Sequence, residues 1–343
     1  MDGYYFYERE TSLAEKASIF GTLFPHDTTG GKLMTHVNME YIKKRKKWPW
    51  IIGIIAILVL VLAVNLYFDM TSTLKEMYEP IDRELSDKRE QVVVLDKQDP
   101  FSVLVLGVDE REGDKGRSDT MIVLAVNPKL KTTKMISIPR DTYTEIVGHG
   151  TSDKLNHAYA FGGIQMSMDS VENLLDIPID YVTEVNMEGF QTIVDAVGGV
   201  QVSNPFDFTQ DSFHYATGEI KLTGEEALSY VRMRKEDPNG DFGRQERQKQ
   251  VIKGVLHEGT SMTSLLNYRS VFNSLGDNVK TNMTFDEMVD VQKNYRNAAD
   301  KIEQLYFEKG EGKRMNGGIW YYMMDDIELQ EMTSILKQHL ELK

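Results

Sequence analysis

Apolar and polar positions change rhythm several times along this chain, and each change predicts an element. From Phe101 the run FSVLVLGVD is almost continuously apolar and closes on a glycine and an acid. TMIVLAVNP (120–128) and TTKMISIPRD (132–141) follow with similar content. Short apolar runs rich in branched residues and bounded by turn residues read as strands. Their near-continuous apolar character predicts a sheet covered on both faces. The spacing turns helical over Gly163–Leu175, returns to a strand over Ile179–Val185, and is helical again over Met187–Ala196, where Gly198 and Gly199 stop it. Strands alternating with helices predict an α/β layered domain. The first three strands are connected too closely to be all parallel, so a mixed sheet is expected.

Further along, the pattern T-G-E-E places Glu226 three residues after Thr223, as in a capping box, and opens a helix through Ala227, Leu228, Tyr230 and Val231. The loop KEDPNGD (235–241) interrupts it, and another helix runs from about Arg244 towards Leu256. The last third alternates a helical stretch, Thr284–Tyr295, with the strand-like piece Ile302–Phe307. It carries no motif to which chemistry attaches and reads as the closing elements of the same domain.

The amino-terminal part has a different pattern. Residues Lys43 to Lys47 are all basic, and Trp48–Phe68 is apolar apart from weak interruptions at Pro49, Gly53 and Asn65. At about 1.5 Å rise per residue that run is long enough to cross a bilayer core. The basic cluster keeps the upstream end in the cytoplasm. A buried helix of a soluble domain seldom runs so long without a charge. A cleaved signal peptide would have a shorter apolar core and a small-residue cleavage pattern. The expected organisation is therefore a cytoplasmic tail (1–47), a transmembrane anchor helix (48–68), an extracytoplasmic connecting helix (69–98) and a catalytic domain with closing elements (99–343). The connecting helix rests on Leu74, Met77, Tyr78, Ile81 and Leu85, with a kink at Pro80, and it could equally pack on the domain as its first helix. Residues 1–38 have no sustained period. A tail starting at Met34 or Met39 would be simpler, which reads as an upstream translational extension.

Composition narrows the chemistry. The net charge of −14 argues against a nucleic-acid binder. The absence of cysteine excludes disulfides, thiolate catalysis and cysteine-based zinc sites. With seven histidines and no HExxH pairing, a zinc hydrolase is not expected. A domain outside the membrane must also work without cytosolic ATP.

Three clusters carry candidate chemistry. In GVDEREGDKGRSDT (107–120), Asp109 ends one strand and Asp119 begins the next. A hairpin-like return would bring both carboxylates to one end of the sheet, where oxygen ligands suit Mg²⁺ or Mn²⁺ with water and substrate phosphate completing the shell. Arg117 lies between them. The competing reading is a solvated charged turn. In IPRDTY (138–143), Arg140 leaves a strand end as a fork for phosphate oxygens, with Asp141 to orient or neutralise it. Asn156 and His157 in KLNHAYAFGG are pocket candidates, although a lone histidine is more often packed than catalytic. In YVRMRKEDPNGDFGRQERQKQ, Arg232 and Arg234 precede Arg244, Arg247 and Gln248, whose spacing places the last three on one helical face. So much local positive charge in an acidic chain points to an anionic ligand. A pyrophosphate explains the arginines and the acidic pair together, although any one arginine could instead only pair with Asp237, Asp241 or Glu246.

These segments, in this order, resemble the LytR–CpsA–Psr family, and within it the teichoic acid transferases of Gram-positive rods. GVDEREGDKGRSDTMIVLAVNP, ISIPRDTY, KLNHAYAFGG, IDYVTEVNMEGFQTIVDAVGGV, LTGEEALSYVRMR and DFGRQERQ carry the likeness over roughly Phe101 to Leu256. The resemblance implies a three-layer α/β/α fold around the mixed sheet, with a deep apolar channel for a polyprenyl chain. It implies transfer of a glycopolymer from undecaprenyl pyrophosphate to a peptidoglycan muramic acid hydroxyl, forming a phosphodiester at the outer face of a Gram-positive cell membrane. Asp109 and Asp119 would then be metal-associated acids. Arg140, Arg232, Arg234, Arg244 and Gln248 would form the phosphate site, with Arg117 and Arg247 as further contributors. Asp109, Asp119, Arg140 and Arg244 are the catalytic candidates. An extracytoplasmic sensor of anionic wall ligands and a lipid-pyrophosphate hydrolase are the alternatives. Val171, Leu174, Leu175, Phe190 and Ile193 are candidates for the channel wall, although their spacing equally fits ordinary core.

Overall fold

The three strands expected from Phe101 onward form as Phe101–Val108 (β1), Ser118–Asn127 (β2) and Thr132–Ser137 (β3). In this computed structural model the described residues run from 77 to 342, without 82, 84, 110–115, 260–274, 277 and 316. The tail and anchor expected over 1–68 lie outside them. Among the described residues no helix is long and apolar enough to cross a membrane.

After β3 come the hairpin strands Tyr143–Ile146 (β4) and Thr151–Lys154 (β5), then Tyr181–Asn186 (β6). Val200–Asn204 (β7), Phe208–Gln210 (β8), Phe213–Tyr215 (β9) and Gly218–Leu222 (β10) make two small antiparallel pairs, β7 with β10 and β8 with β9. Val279–Thr281 (β11) and Ile302–Leu305 (β12) precede a last hairpin, Glu311–Met315 (β13) and Ile319–Met323 (β14). The central sheet has the order β11-β6-β1-β2-β3-β12. β1 pairs antiparallel with β2 and parallel with β6, and β12 is parallel to β3, so the sheet is mixed. The β1–β2 register shifts between Gly107 and Val108. A methyl group on Gly107 would lie 2.9 Å from Thr120 Cβ, so only glycine lets the two strands close there.

The helices are His157–Leu175 (α1), Met187–Ala196 (α2), Gly224–Arg232 (α3), Asp241–Gly259 (α4), Phe285–Asn294 (α5) and Asp326–His339 (α6). α1 breaks at Gly162 and Gly163, the latter at φ +63°, which is why the helical period becomes clear only from Gly163. Thr223 and Glu226 form the capping box of α3, and Thr284 and Glu287 form another on α5.

Side-chain alternation divides the sheet into two faces. Leu104, Leu106, Met121, Val123 and Ile136 pack against Met168, Val171 and Leu175 of α1 and Leu336 of α6. Ile122, Leu124 and Met135 face Ile252 and Leu256 of α4, with Val103 and Val105 beside them. Helices thus cover both faces, giving an α/β/α arrangement. A second cluster joins β7–β10 to α3 and α4 through Val202, Phe208, Tyr230 and Val251.

The connecting helix expected over 69–98 does not form across its described part. Beyond Met77 the chain is extended and turning, with one 3-10 turn at Leu95–Lys97. Pro80 has no amide proton to donate, and the Glu79 N–H donates to Thr281 of β11 at 2.9 Å instead. Arg89 then holds Asp180 through Nε and Nη2 at 2.6 and 2.7 Å, and Arg83 Nη2 donates to Glu172 at 2.8 Å. These ion pairs fix the strap to the domain.

Candidate active site

A cavity of about 690 Å³ runs between the α4-facing side of the sheet and the helices. Its axis follows β1: Phe101, Val103, Val105 and Gly107, every second residue of the strand, line it, and Val108 and then Asp109, just past the strand, line its end. At the rise of an extended strand this line spans roughly 25 Å. Phe190 and Ile193 of α2, Leu228 of α3, Val251 and Val255 of α4, and Val291 of α5 complete the apolar wall. Polar groups gather at the carboxyl end of β1, where Asp109, Asp119, Arg232, Arg244 and Gln248 ring the mouth. The far end carries Gln292 and Arg296 beside Tyr295.

Each mouth residue has a structural reason for its place. Asp109 follows the last residue of β1, and its N–H donates to the Arg117 carbonyl at 3.4 Å, which closes the return towards β2. Asp119 lies in β2 at the register shift itself, the residue left without a cross-strand partner between Ser118, opposite Val108, and Thr120, opposite Gly107. Arg140 pairs with Asp119 at 2.8 Å and so joins the mouth, although it does not itself line the wall. Asp141 lies farther from Arg140, at 3.6 Å, and is held by Lys154 at 2.6 Å. Arg244 and Gln248, four residues apart, lie on the cavity face of α4 above Val251, Ile252 and Val255. Arg232, at the end of α3, reaches the mouth beside Met187 Sδ.

Other candidates sit elsewhere. Arg247 is not on the cavity face. It is 2% exposed, pairs with Asp237, and donates to the carbonyls of Tyr230, through Nε at 3.0 Å, and Met233. Its guanidinium ties α4 to the preceding loop. Three- and four-residue spacings share a broad helical face, but the cavity uses only part of it. Arg117 and Arg234 are exposed, and neither lines the cavity. His157 is outside it too, with Nδ1 2.8 Å from Asp153 and its ring edge-on to Phe161. Asn156 is buried behind Arg140. Its N–H donates to the Arg140 carbonyl at 3.1 Å, while Oδ1 has no hydrogen-bond partner among the described residues. Asn156 thus supports the turn carrying Arg140, and neither residue lines the cavity. Of the channel candidates, Phe190 and Ile193 line the cavity, but Val171, Leu174 and Leu175 belong to the packed core on the opposite face. Sequence reasoning missed Met187, Gln292 and Arg296. Met187 lies within the segment IDYVTEVNMEGFQTIVDAVGGV but has no charge to draw attention, and Gln292 and Arg296 lie in no recognisable motif.

The donor set bears on a metal. Asp109 and Asp119 are the carboxylates of the mouth, and among the described residues no group of three or more histidine, aspartate or glutamate side chains gathers to hold an ion. A two-carboxylate set fits Mg²⁺ or Mn²⁺, which keep water and phosphate as their other ligands. It does not fit zinc.

The sequence model of the LytR_cpsA_psr family matches residues 64–338. The polyisoprenyl-teichoic acid–peptidoglycan teichoic acid transferase TagU of Bacillus anthracis is 50% identical over 302 residues, 87% of this chain and 99% of that protein. The crystal structure of B. subtilis TagU superposes with a TM-score of 0.59 at 50% identity, covering 71% of this chain and 98% of that one. A structure of TagT bound to LIIa-WTA gives a TM-score of 0.67 at 32% identity, covering 77% of this chain and 100% of that one.

Proposed function

The chain belongs to the LytR–CpsA–Psr family, and from that premise we propose that it transfers a teichoic acid or related anionic glycopolymer from undecaprenyl pyrophosphate to a muramic acid hydroxyl of peptidoglycan. One observation carries this reading: a long apolar cavity ends in a mouth of arginines and carboxylates. An amphiphile with an isoprenoid tail and a pyrophosphate head has that same division. The names of the relatives specify a polyisoprenyl-linked donor and a peptidoglycan acceptor, which suits both ends.

The tail lies along β1, and the head meets Arg232, Arg244 and Gln248. Arg140, oriented by Asp119, adds a charge-assisted donor for the non-bridging oxygens. The acceptor hydroxyl oxygen forms a bond to the glycopolymer phosphorus. The bridging P–O bond breaks, and polyprenyl phosphate leaves with that electron pair. The hydroxyl proton departs through one of the mouth carboxylates or a solvent relay. Splitting the pyrophosphate drives the reaction without ATP. Mg²⁺ or Mn²⁺ held by Asp109 and Asp119 would neutralise phosphate charge. The anchor over 48–68, with its basic flank inside, would place this domain at the outer membrane face, where donor and acceptor meet.

The purified full chain in detergent, given a lipid-pyrophosphate glycopolymer and peptidoglycan, should form attached polymer in a divalent-cation-dependent manner. Binding without turnover would favour the sensor. Release of phosphorylated glycan without attachment would favour the hydrolase. Protease added to intact protoplasts should remove everything beyond Asp69, and protection of the domain would refute the topology.

A further inference from the structure

α4 is a wall between two cavities. The tube lies along its Arg244–Gln248 side. On its other side, at the carboxyl ends of β3 and β12, a second cavity of about 510 Å³ is lined by Phe242, Glu246 and Lys249 together with Ser137, Pro139 and Tyr306. Pro139 immediately precedes Arg140, so this cavity borders the mouth from the side away from the tube.

Its floor is polar and buried. Ser137 is 6% exposed, and its Oγ has no hydrogen-bond partner among the described residues. The Lys249 side chain is 3% exposed, with Nζ 3.6 Å from Glu246 and 3.5 Å from the centre of the Tyr306 ring. Burial lowers its pKa, and Glu246 opposes that change. Tyr306 Oη donates to Glu246 at 3.1 Å. The rim is aromatic: Phe242 is 51% exposed and Tyr306 41%. Large aromatic rings left partly in water beside a buried hydroxyl and ammonium and a half-exposed carboxylate suit a pyranose. Its C–H face lies on an aromatic ring while its hydroxyls and amides reach the floor. A buried cation adds a partner for an acidic sugar.

We propose that this second cavity is the subsite for the acceptor glycan, a strand of acidic amino sugars, and this assignment rests on the transfer reaction proposed above. The direction of attack selects the acceptor over the donor's own sugars. In-line displacement puts the attacking oxygen opposite the leaving oxygen. The leaving polyprenyl phosphate occupies the tube, so the hydroxyl must arrive from outside it. The second cavity opens beside Arg140, across the first turns of α4.

The test is calorimetric binding of a soluble muramic-acid-containing tetrasaccharide, cut from peptidoglycan, to the full chain in detergent. Phe242→Ala and Lys249→Met should each weaken it by about tenfold or more, through loss of an aromatic platform and of a charge-assisted partner. Affinity for a polyprenyl pyrophosphate donor should be retained. Phe242 is half exposed, so its variant decides the matter even if Lys249→Met fails to fold. Unchanged tetrasaccharide binding in folded Phe242→Ala overturns the proposal, as does wild-type protein that does not bind the glycan. Weakened donor binding in its place would assign the cavity to donor sugars and also overturn it. Glycan binding that is lost in the variants, in a wild-type protein that never turns over, would uphold the subsite and refute the transfer reaction.

Discussion

The two faces of the central sheet are built from the same strands and from equally apolar residues, yet one is solid and the other hollow. Leu104 and Leu106 of β1 are fully buried against α1 and α6. Val103 and Val105, their immediate neighbours, line the tube. Alternation in a strand tells which residues share a face, but not whether that face meets a helix or a ligand. The difference comes from what the covering helices bring. α1 and α6 send Met168, Val171, Leu175 and Leu336 into the sheet. α2 to α5 instead stand back around the space along β1.

The largest expected effect tests the solid face. Leu106→Ala should cost about 2–5 kcal/mol of stability, as a buried leucine leaving a cavity does, whereas Val105→Ala should cost about 1 kcal/mol or less because its side chain already borders a void. Urea melts of the two variants check this, and equal losses would erase the distinction between the faces. At the mouth of the hollow face, Arg140→Ala should lower turnover by about 10²–10³-fold with the fold intact, the usual loss for a donor to developing charge. Unfolding of that variant would make the Arg140–Asp119 pair structural instead. Val105→Phe should sharpen the contrast further. It should weaken polyprenyl-pyrophosphate binding by about tenfold or more, with stability unchanged or raised, since the ring fills space that is otherwise empty.

The smallest effect concerns pH and belongs to the solid face. His339 of α6 is 3% exposed, and burial pushes its pKa below the ordinary 6.5, although its contact with the Thr132 carbonyl at 3.1 Å opposes that change. Below pH 6.5 the unfolded histidine takes up a proton that the folded one refuses. Stability is therefore full above that pH and falls as pH drops towards the folded value, with a limiting slope of about 1.4 kcal/mol per pH unit between the two. His339→Gln retains a donor for Thr132 and should flatten the profile in denaturant titrations. A profile that keeps its slope would place the titration elsewhere.

Much of this was legible in the sequence. β1 to β3, α2 with its Gly198–Gly199 stop, and the Thr223–Glu226 capping box all rest on local signals of three to ten residues. The mouth residues were legible through chemistry, because arginines and acids clustered in an acidic chain need a reason. The hollow was not. Val171 and Phe190 look alike in periodicity, yet one is core and the other cavity wall. Asp237 was a foreseeable partner for one of the arginines, but spacing could not say that it would take Arg247, because only the turn between α3 and α4 brings the two together. The strap over 77–98 lost its expected helix to pairing with β11, where Tyr78 and Glu79 meet Thr281 far later in the chain. Such a partner leaves no trace in local spacing.

The tube also sets a limit on how this protein can be improved. Its apolar walls lack the dispersion contacts that a solid core supplies, so the ligand-free chain gives up cohesion along one side of its main sheet. Mutations that fill the space would be the easiest route to a higher melting temperature and would remove the room proposed for the lipid tail. Occupancy by a lipid should instead raise the melting temperature in proportion to the logarithm of its concentration. On the function proposed above, heat resistance would then report how much lipid carrier the protein meets, and a lineage living at high temperature would have to harden this domain from its opposite side.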